Sequence, residues 1–144
     1  MEESGQEILV TLAELLTRAS WRLRRNERKE LAPFGLTFAQ ARALRVLISA
    51  GDPMRIGDLA AKLEIVPRSA TTMVDGLEEA GFVTREMDRD DRRSILVAPT
   101  PKGQELIARL AEQRRVSAEA LFAPLSVGEK SELLRLLESL SADW

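Results

Sequence analysis

From Gln6 to Glu30 the apolar residues Ile8, Leu12, Leu15, Leu16, Ala19 and Leu23 recur at spacings of three and four. That is the period of one helix face, and it predicts a long first helix. Pro33, Phe34 and Gly35 break it, and Thr37 with Gln40 three residues on forms a capping box for a second helix reaching about Ser49. Gly51, Asp52 and Pro53 mark a turn. Ile56, Leu59, Ala60 and Leu63 then predict a short helix, and Ala70, Met73, Val74 and Leu77 another from Pro67 to Ala80. Proline in the first turn and Gly81 just past the end suit the boundaries of that last helix.

Beyond Gly81 the period shortens. Phe82 to Met87 reads as a strand, 88–93 as a turn of alternating charges, and the segment with Ile95 and Val97 on one face as a second strand, so the three together predict a β-hairpin. Thr100 and Pro101 supply a cap and a first helical residue for a long helix carrying Leu106, Ile107, Leu110, Ala118 and Leu121, which Pro124 ends. Ser126 and Glu129 form a further capping box before Leu133, Leu136, Leu137 and Leu140. The fold class is therefore mainly α with a small β-hairpin. Two short helices close together resemble a helix-turn-helix, and the hairpin after them makes it a winged helix-turn-helix.

Composition narrows the chemistry. The chain has 144 residues, enough for one compact core, and 44% apolar with 31% charged residues is the balance of a soluble globular protein. No apolar run approaches the roughly 20 residues that span a bilayer, and the N-terminus lacks the order of a signal peptide, which points to the cytoplasm and away from a membrane. Cysteine and histidine are both absent, so no thiol switch, disulfide or imidazole ligand is available, and neither a metal nor another cofactor is expected. The formal charge of −2 decides little, because contact with phosphate depends on where the cations stand. Even the segment 55–93 holds more acids than bases, so DNA binding has to rest on a few local arginines.

On the second short helix, Arg68, Ser69, Thr71 and Thr72 lie opposite the apolar stripe and are the candidates for the major groove, with Arg68 suited to a bidentate contact to guanine. At the hairpin tip Arg92 or Arg93 is placed to enter a narrow minor groove, where negative potential is enhanced. Asp91 is expected to shape that tip by a charge-assisted hydrogen bond to one of these arginines. Trp21 and Phe38 admit two readings, the wall of a ligand cavity or plain core, and the run Arg22, Arg24, Arg25, Arg28 reads as a solvated helix end.

Leu36-Thr37 with Gln40, Asp58-Leu59-Ala60 with Leu63, Arg68-Ser69-Ala70-Thr71 with Asp75, Leu77, Gly81 and Arg85, the hairpin's Asp88, Asp91 and Arg93, and then Thr100, Gly103 and Leu125-Ser126 with Glu129 follow one another in an order and spacing that resembles the MarR family of bacterial regulators. The resemblance implies a homodimer on a pseudopalindromic double-stranded operator, a repressor released by a small aromatic effector. It divides the chain into a dimerisation helix (1–34), a DNA-binding lobe (35–100) and C-terminal dimerisation helices (101–144). Physical reasoning agrees: Leu12, Leu15, Leu133, Leu136, Leu137 and Leu140 are more leucine than one small lobe can cover, and a two-fold interface would bury the surplus. The chain departs from the family pattern at Thr72 and Gly76, where many relatives carry a basic residue, and at Pro99, whose ring is expected to shorten the second wing strand.

Two other classes compete. A winged-helix dimer that binds a protein partner is favoured by the acidic excess of the middle segment, and the salt slope on duplex DNA discriminates it. An enzyme would need carboxylate pairs such as Asp90–Asp91 or Glu78–Glu79 to have separated pKa values, and nothing in an exposed turn or helix end desolvates them. The chain therefore reads as a regulator rather than an enzyme.

Overall fold

Capping and turn chemistry fix most of the boundaries in the computed structural model, which describes residues 2–142; residue 1 and residues 143–144, at the ends of the predicted dimerisation segments, lie outside it. The elements in chain order are α1 (Glu2–Leu31), a 3-10 turn (Ala32–Phe34), α2 (Phe38–Ala50), β1 (Met54–Arg55), α3 (Ile56–Leu63), α4 (Pro67–Glu79), β2 (Val83–Met87), β3 (Ile95–Pro99), α5 (Pro101–Phe122) and α6 (Val127–Ser141). Thr37 with Gln40 and Ser126 with Glu129 both close complete capping boxes. Gly81, at φ +83°, follows α4: its amide donates to the Glu78 carbonyl and the Phe82 amide to that of Leu77, the pattern of a Schellman end.

Two compact units emerge, one from residues 1–26 with 113–144 and one from Glu27–Glu112. The second holds the winged helix. Its core is built from Leu44 and Leu47 of α2, Leu59 and Leu63 of α3, Val74 and Leu77 of α4, Phe82, Val83 and Val97, with Leu31, Leu106 and Leu110 completing it. Those last three carry the unit beyond the 35–100 segment at both ends, because the lobe cannot close its core without them.

The sheet is antiparallel with strand order β1-β3-β2. Three points differ from the sequence expectation. Met54 and Arg55 form a strand against Val97 and Leu96, where the sequence showed only a turn followed by a helix. The first hairpin strand begins at Val83, and Phe82 turns into the core, fully buried. Pro99 does not shorten β3 but pairs with Val83. The hydrogen bonds Thr100 N to Phe82 O and Asp88 N to Ser94 O put 84/98 and 86/96 in the hydrogen-bonded positions, so Pro99 needs no N–H toward β2, and β1 is too short to ask for one on the other side.

In the unit formed by residues 1–26 and 113–144, Asn26 Nδ2 donates to the buried Ser117 Oγ at 3.0 Å. Leucine is left uncovered: Leu12, Leu15, Leu136 and Leu140 are each about half exposed, with Ile8, Leu9, Leu16 and Leu134 beside them in sequence exposed as well. No described helix is long and apolar enough to cross a membrane.

Candidate nucleic-acid interface

Helix α4 turns Ala70, Val74 and Leu77 into the core, which leaves Arg68, Ser69, Thr71 and Thr72 on the exposed side. Thr71 Oγ1 donates to the Pro67 carbonyl at 3.1 Å and Thr72 Oγ1 to that of Arg68 at 3.2 Å. Both hydroxyl protons are thus turned back along the helix and both oxygens face outward as acceptors. Val66 begins α4 without a side-chain cap and Pro67 occupies the first turn, so the positive end of the helix dipole is open beside Arg68 and Ser69. Asp75, on the same helix, is not an open charge. Arg85 of β2 donates from Nη2 to Asp75 Oδ1 and from Nη1 to Glu78 Oε1 at 2.9 Å, tying α4 to the sheet.

The tip between β2 and β3 is organised by two carboxylates. Asp91 Oδ1 accepts the Arg93 amide at 3.0 Å and Oδ2 the Ser94 hydroxyl at 3.1 Å. Asp91 therefore shapes the tip, but through a backbone N–H and a serine; the expected bond to an arginine side chain is absent from its partners, because the tight 91–94 turn, closed by Ser94 N to Asp91 O at 2.9 Å, already occupies both oxygens. Asp88, which sequence reasoning left without a role, accepts the Asp90 amide on Oδ1 and Arg55 Nη2 on Oδ2, each at 3.0 Å. The Asp90 amide first, and the Arg55 guanidinium second, hold the Asp88 carboxyl below the usual aspartate range. Arg55 belongs to the strand that the sequence did not reveal, which is why its partnership was missed.

These pairings account for much of the acidic excess in the middle segment. Asp75, Glu78, Asp88 and Asp91 are each engaged, whereas the guanidinium groups of Arg68, Arg89, Arg92 and Arg93 have no hydrogen-bond or ion-pair partner among the described residues. The exposed surface of α4 and the wing thus carries guanidinium groups without an intramolecular partner, alongside the exposed carboxylates Glu79, Glu86 and Asp90.

The two aromatic candidates fall in different units. Phe38 packs at the margin of the winged-helix core, with the Arg28 guanidinium 5.6 Å from its ring centre. Trp21, 61% exposed, is not among the residues lining the 480 Å³ cleft formed by Leu16, Leu23, Phe122, Leu133, Leu137 and their neighbours in its own unit. Leu133 and Leu137 are half-buried there, while the other four leucines of the predicted dimerisation set stand open.

A model of the MarR family matches residues 34–94. Over 132 residues the chain is 30% identical to the HTH-type transcriptional repressor Rv2887 of Mycobacterium tuberculosis, a match covering 92% of this chain and 94% of that protein. Among solved structures it is similar to a transcriptional regulator of the MarR family from Silicibacter pomeroyi, with a TM-score of 0.60 and 34% identity, covering 90% of this chain and 86% of that one. A mutant MarR from E. coli complexed with operator DNA has the same fold, with a TM-score of 0.67 at 23% identity over 92% of this chain and 95% of that one.

Proposed function

The chain belongs to the MarR family, whose members are transcriptional regulators and not enzymes, and from that premise we propose that it is a cytoplasmic, homodimeric repressor that binds double-stranded DNA. The observation that carries the reading is the placement of cations on the winged-helix surface: the guanidinium groups of Arg68, Arg89, Arg92 and Arg93 have no partner among the described residues, while Asp75, Glu78, Asp88 and Asp91 beside them are engaged. Arg68, Ser69, Thr71 and Thr72 read the major groove, while Arg92 and Arg93 lie against the adjacent minor groove or its phosphates. The likeness to a fold solved on operator DNA supports this use of the helix and wing. Release by a small aromatic effector rests on the family alone.

The test is a titration against duplex fragments from beside its own coding region, at two salt concentrations, with a scrambled duplex as control. Arg68→Ala is expected to cost about 1–3 kcal/mol on the operator and to relax specificity at one base pair. Replacing Arg92 and Arg93 together by alanine is expected to weaken all sequences alike and to flatten the salt dependence. Absence of binding at low salt would overturn the reading in favour of a protein-binding surface.

For the dimer, the exposed Leu12, Leu15, Leu136 and Leu140, with the half-buried Leu133 and Leu137, supply a self-complementary patch on α1 and α6. Replacing Leu136 and Leu140 together by glutamate places charge in its middle. Sedimentation is expected to report a monomer, and operator affinity to fall on the order of a hundredfold as bivalent attachment is lost. A variant that still sediments as a dimer would remove these leucines from the interface.

A further inference from the structure

Arg55 and Asp88 stand 33 residues apart and on opposite sides of the central strand, yet Arg55 Nη2 reaches Asp88 Oδ2 at 3.0 Å. The register explains the reach. Arg55 of β1 and Glu86 of β2 both pair with Leu96 of β3, so a long side chain at 55 extends across the sheet toward the first residue of the tip. The side chain of Asp88 is 12% accessible and that of Arg55 49%, so the carboxylate is the enclosed partner and the guanidinium its cover. Asp58 and Asp91 lie near enough to attract Arg55 as well.

Asp88 also holds the backbone. Its Oδ1 accepts the Asp90 amide, and its own amide donates to the Ser94 carbonyl, so it sets the first half of the loop as Asp91 sets the second. Within 88–93 three aspartates face three arginines, and the arginine side chains have no partner among the described residues. The cation on Asp88, Arg55, is brought from outside the loop, and it decides which way that balance tips. Without it the carboxylate is the nearest engaged anion to lose its cover, free to capture Arg89, Arg92 or Arg93 and to repel phosphate.

We propose that Arg55 is a positioning residue for the wing: by occupying Asp88 it fixes the tip and keeps the tip arginines available to nucleic-acid phosphate. The proposal rests on the DNA-binding reading above for its consequence, though not for its geometry. Arg55 itself acts through Asp88 and makes no contact with DNA.

The test compares Arg55→Met, Asp88→Asn, the double variant and Arg55→Lys by duplex affinity and by amide hydrogen exchange in the free protein, with thermal melts to verify folding. Arg55→Met is expected to weaken operator and scrambled duplex alike by about tenfold and to speed exchange at Asp90. Asp88→Asn, although it removes a negative charge from a surface that meets phosphate, is expected to weaken binding too. The double variant should be no worse than either single one, and Arg55→Lys should recover part of the loss. Additive losses, or tighter binding by Asp88→Asn, would mean that Arg55 meets phosphate directly and would overturn the proposal. If the unaltered protein binds no duplex, the exchange data decide alone: faster exchange at Asp90 in Arg55→Met upholds the positioning role while the DNA reading fails, and unchanged exchange overturns it.

Discussion

Replacing Gly103 with alanine is expected to destabilise the protein by about 3 kcal/mol, the reverse of what this change does in most helices. At an exposed helical position alanine is better than glycine by about 1 kcal/mol. Gly103, in the first turn of α5, is buried, and a Cβ there would fall well inside van der Waals contact of the Phe82 carbonyl oxygen and 3.2 Å from Leu44 Cδ1. The leucine methyl can turn aside. The carbonyl cannot, because it accepts the Thr100 amide at 3.0 Å in the join between β3 and α5, and Thr100 Oγ1 is itself held between the Gly81 carbonyl and the Gly103 amide. Denaturant midpoints at one protein concentration measure the effect. A variant as stable as the parent would show that the helix does not approach the strand this closely.

Phe82→Ala is expected to cost about 3–5 kcal/mol in the same assay. The ring is fully buried, meets the Phe34 ring edge-on at 5.0 Å, and lies 4.7 Å from the Lys102 ammonium. Lys102 Nζ also donates to the Ala80 carbonyl at 2.8 Å, where it favours the negative end of α4. Truncation opens a cavity at the root of the wing and strips one of the two aromatic faces from a cation that closes α4. Phe82→Leu keeps part of the volume and should cost about half as much. An equal loss for the two variants would make the ring's face, rather than its bulk, the stabilising feature.

The helices were legible because their signals are local. Thr37–Gln40 and Ser126–Glu129 announce their own helices, and the stripes of α2, α3 and α4 repeat often enough to be read. β1 was not, since two residues cannot display a period and Met54–Arg55 are strand only because β3 passes beside them. The candidate site divides in the same way. Arg68 and the hydroxyls of α4 could be named from the face they share, but the engagement of Asp88 by Arg55 depends on a crossing of the sheet that nothing near either residue records. Asp91 was found for a partly mistaken reason. Its sequence neighbours suggested a guanidinium partner, whereas an aspartate opening a tight turn meets backbone N–H groups first.

The bond from the Arg85 amide to Glu78 Oε2, at 3.2 Å, belongs to the contacts by which β2 is joined to α4. Residues 84 and 86 pair with β3, so 83, 85 and 87 turn their amides away from the sheet, and the middle one of these is covered by a helix side chain. On the opposite margin β1 is only two residues long. Neither flank of the sheet is thus a good template for another chain's strand, and sheet-to-sheet aggregation is discouraged at both margins. Such a lobe can be crowded against others on a polymer without its strands adding to one another.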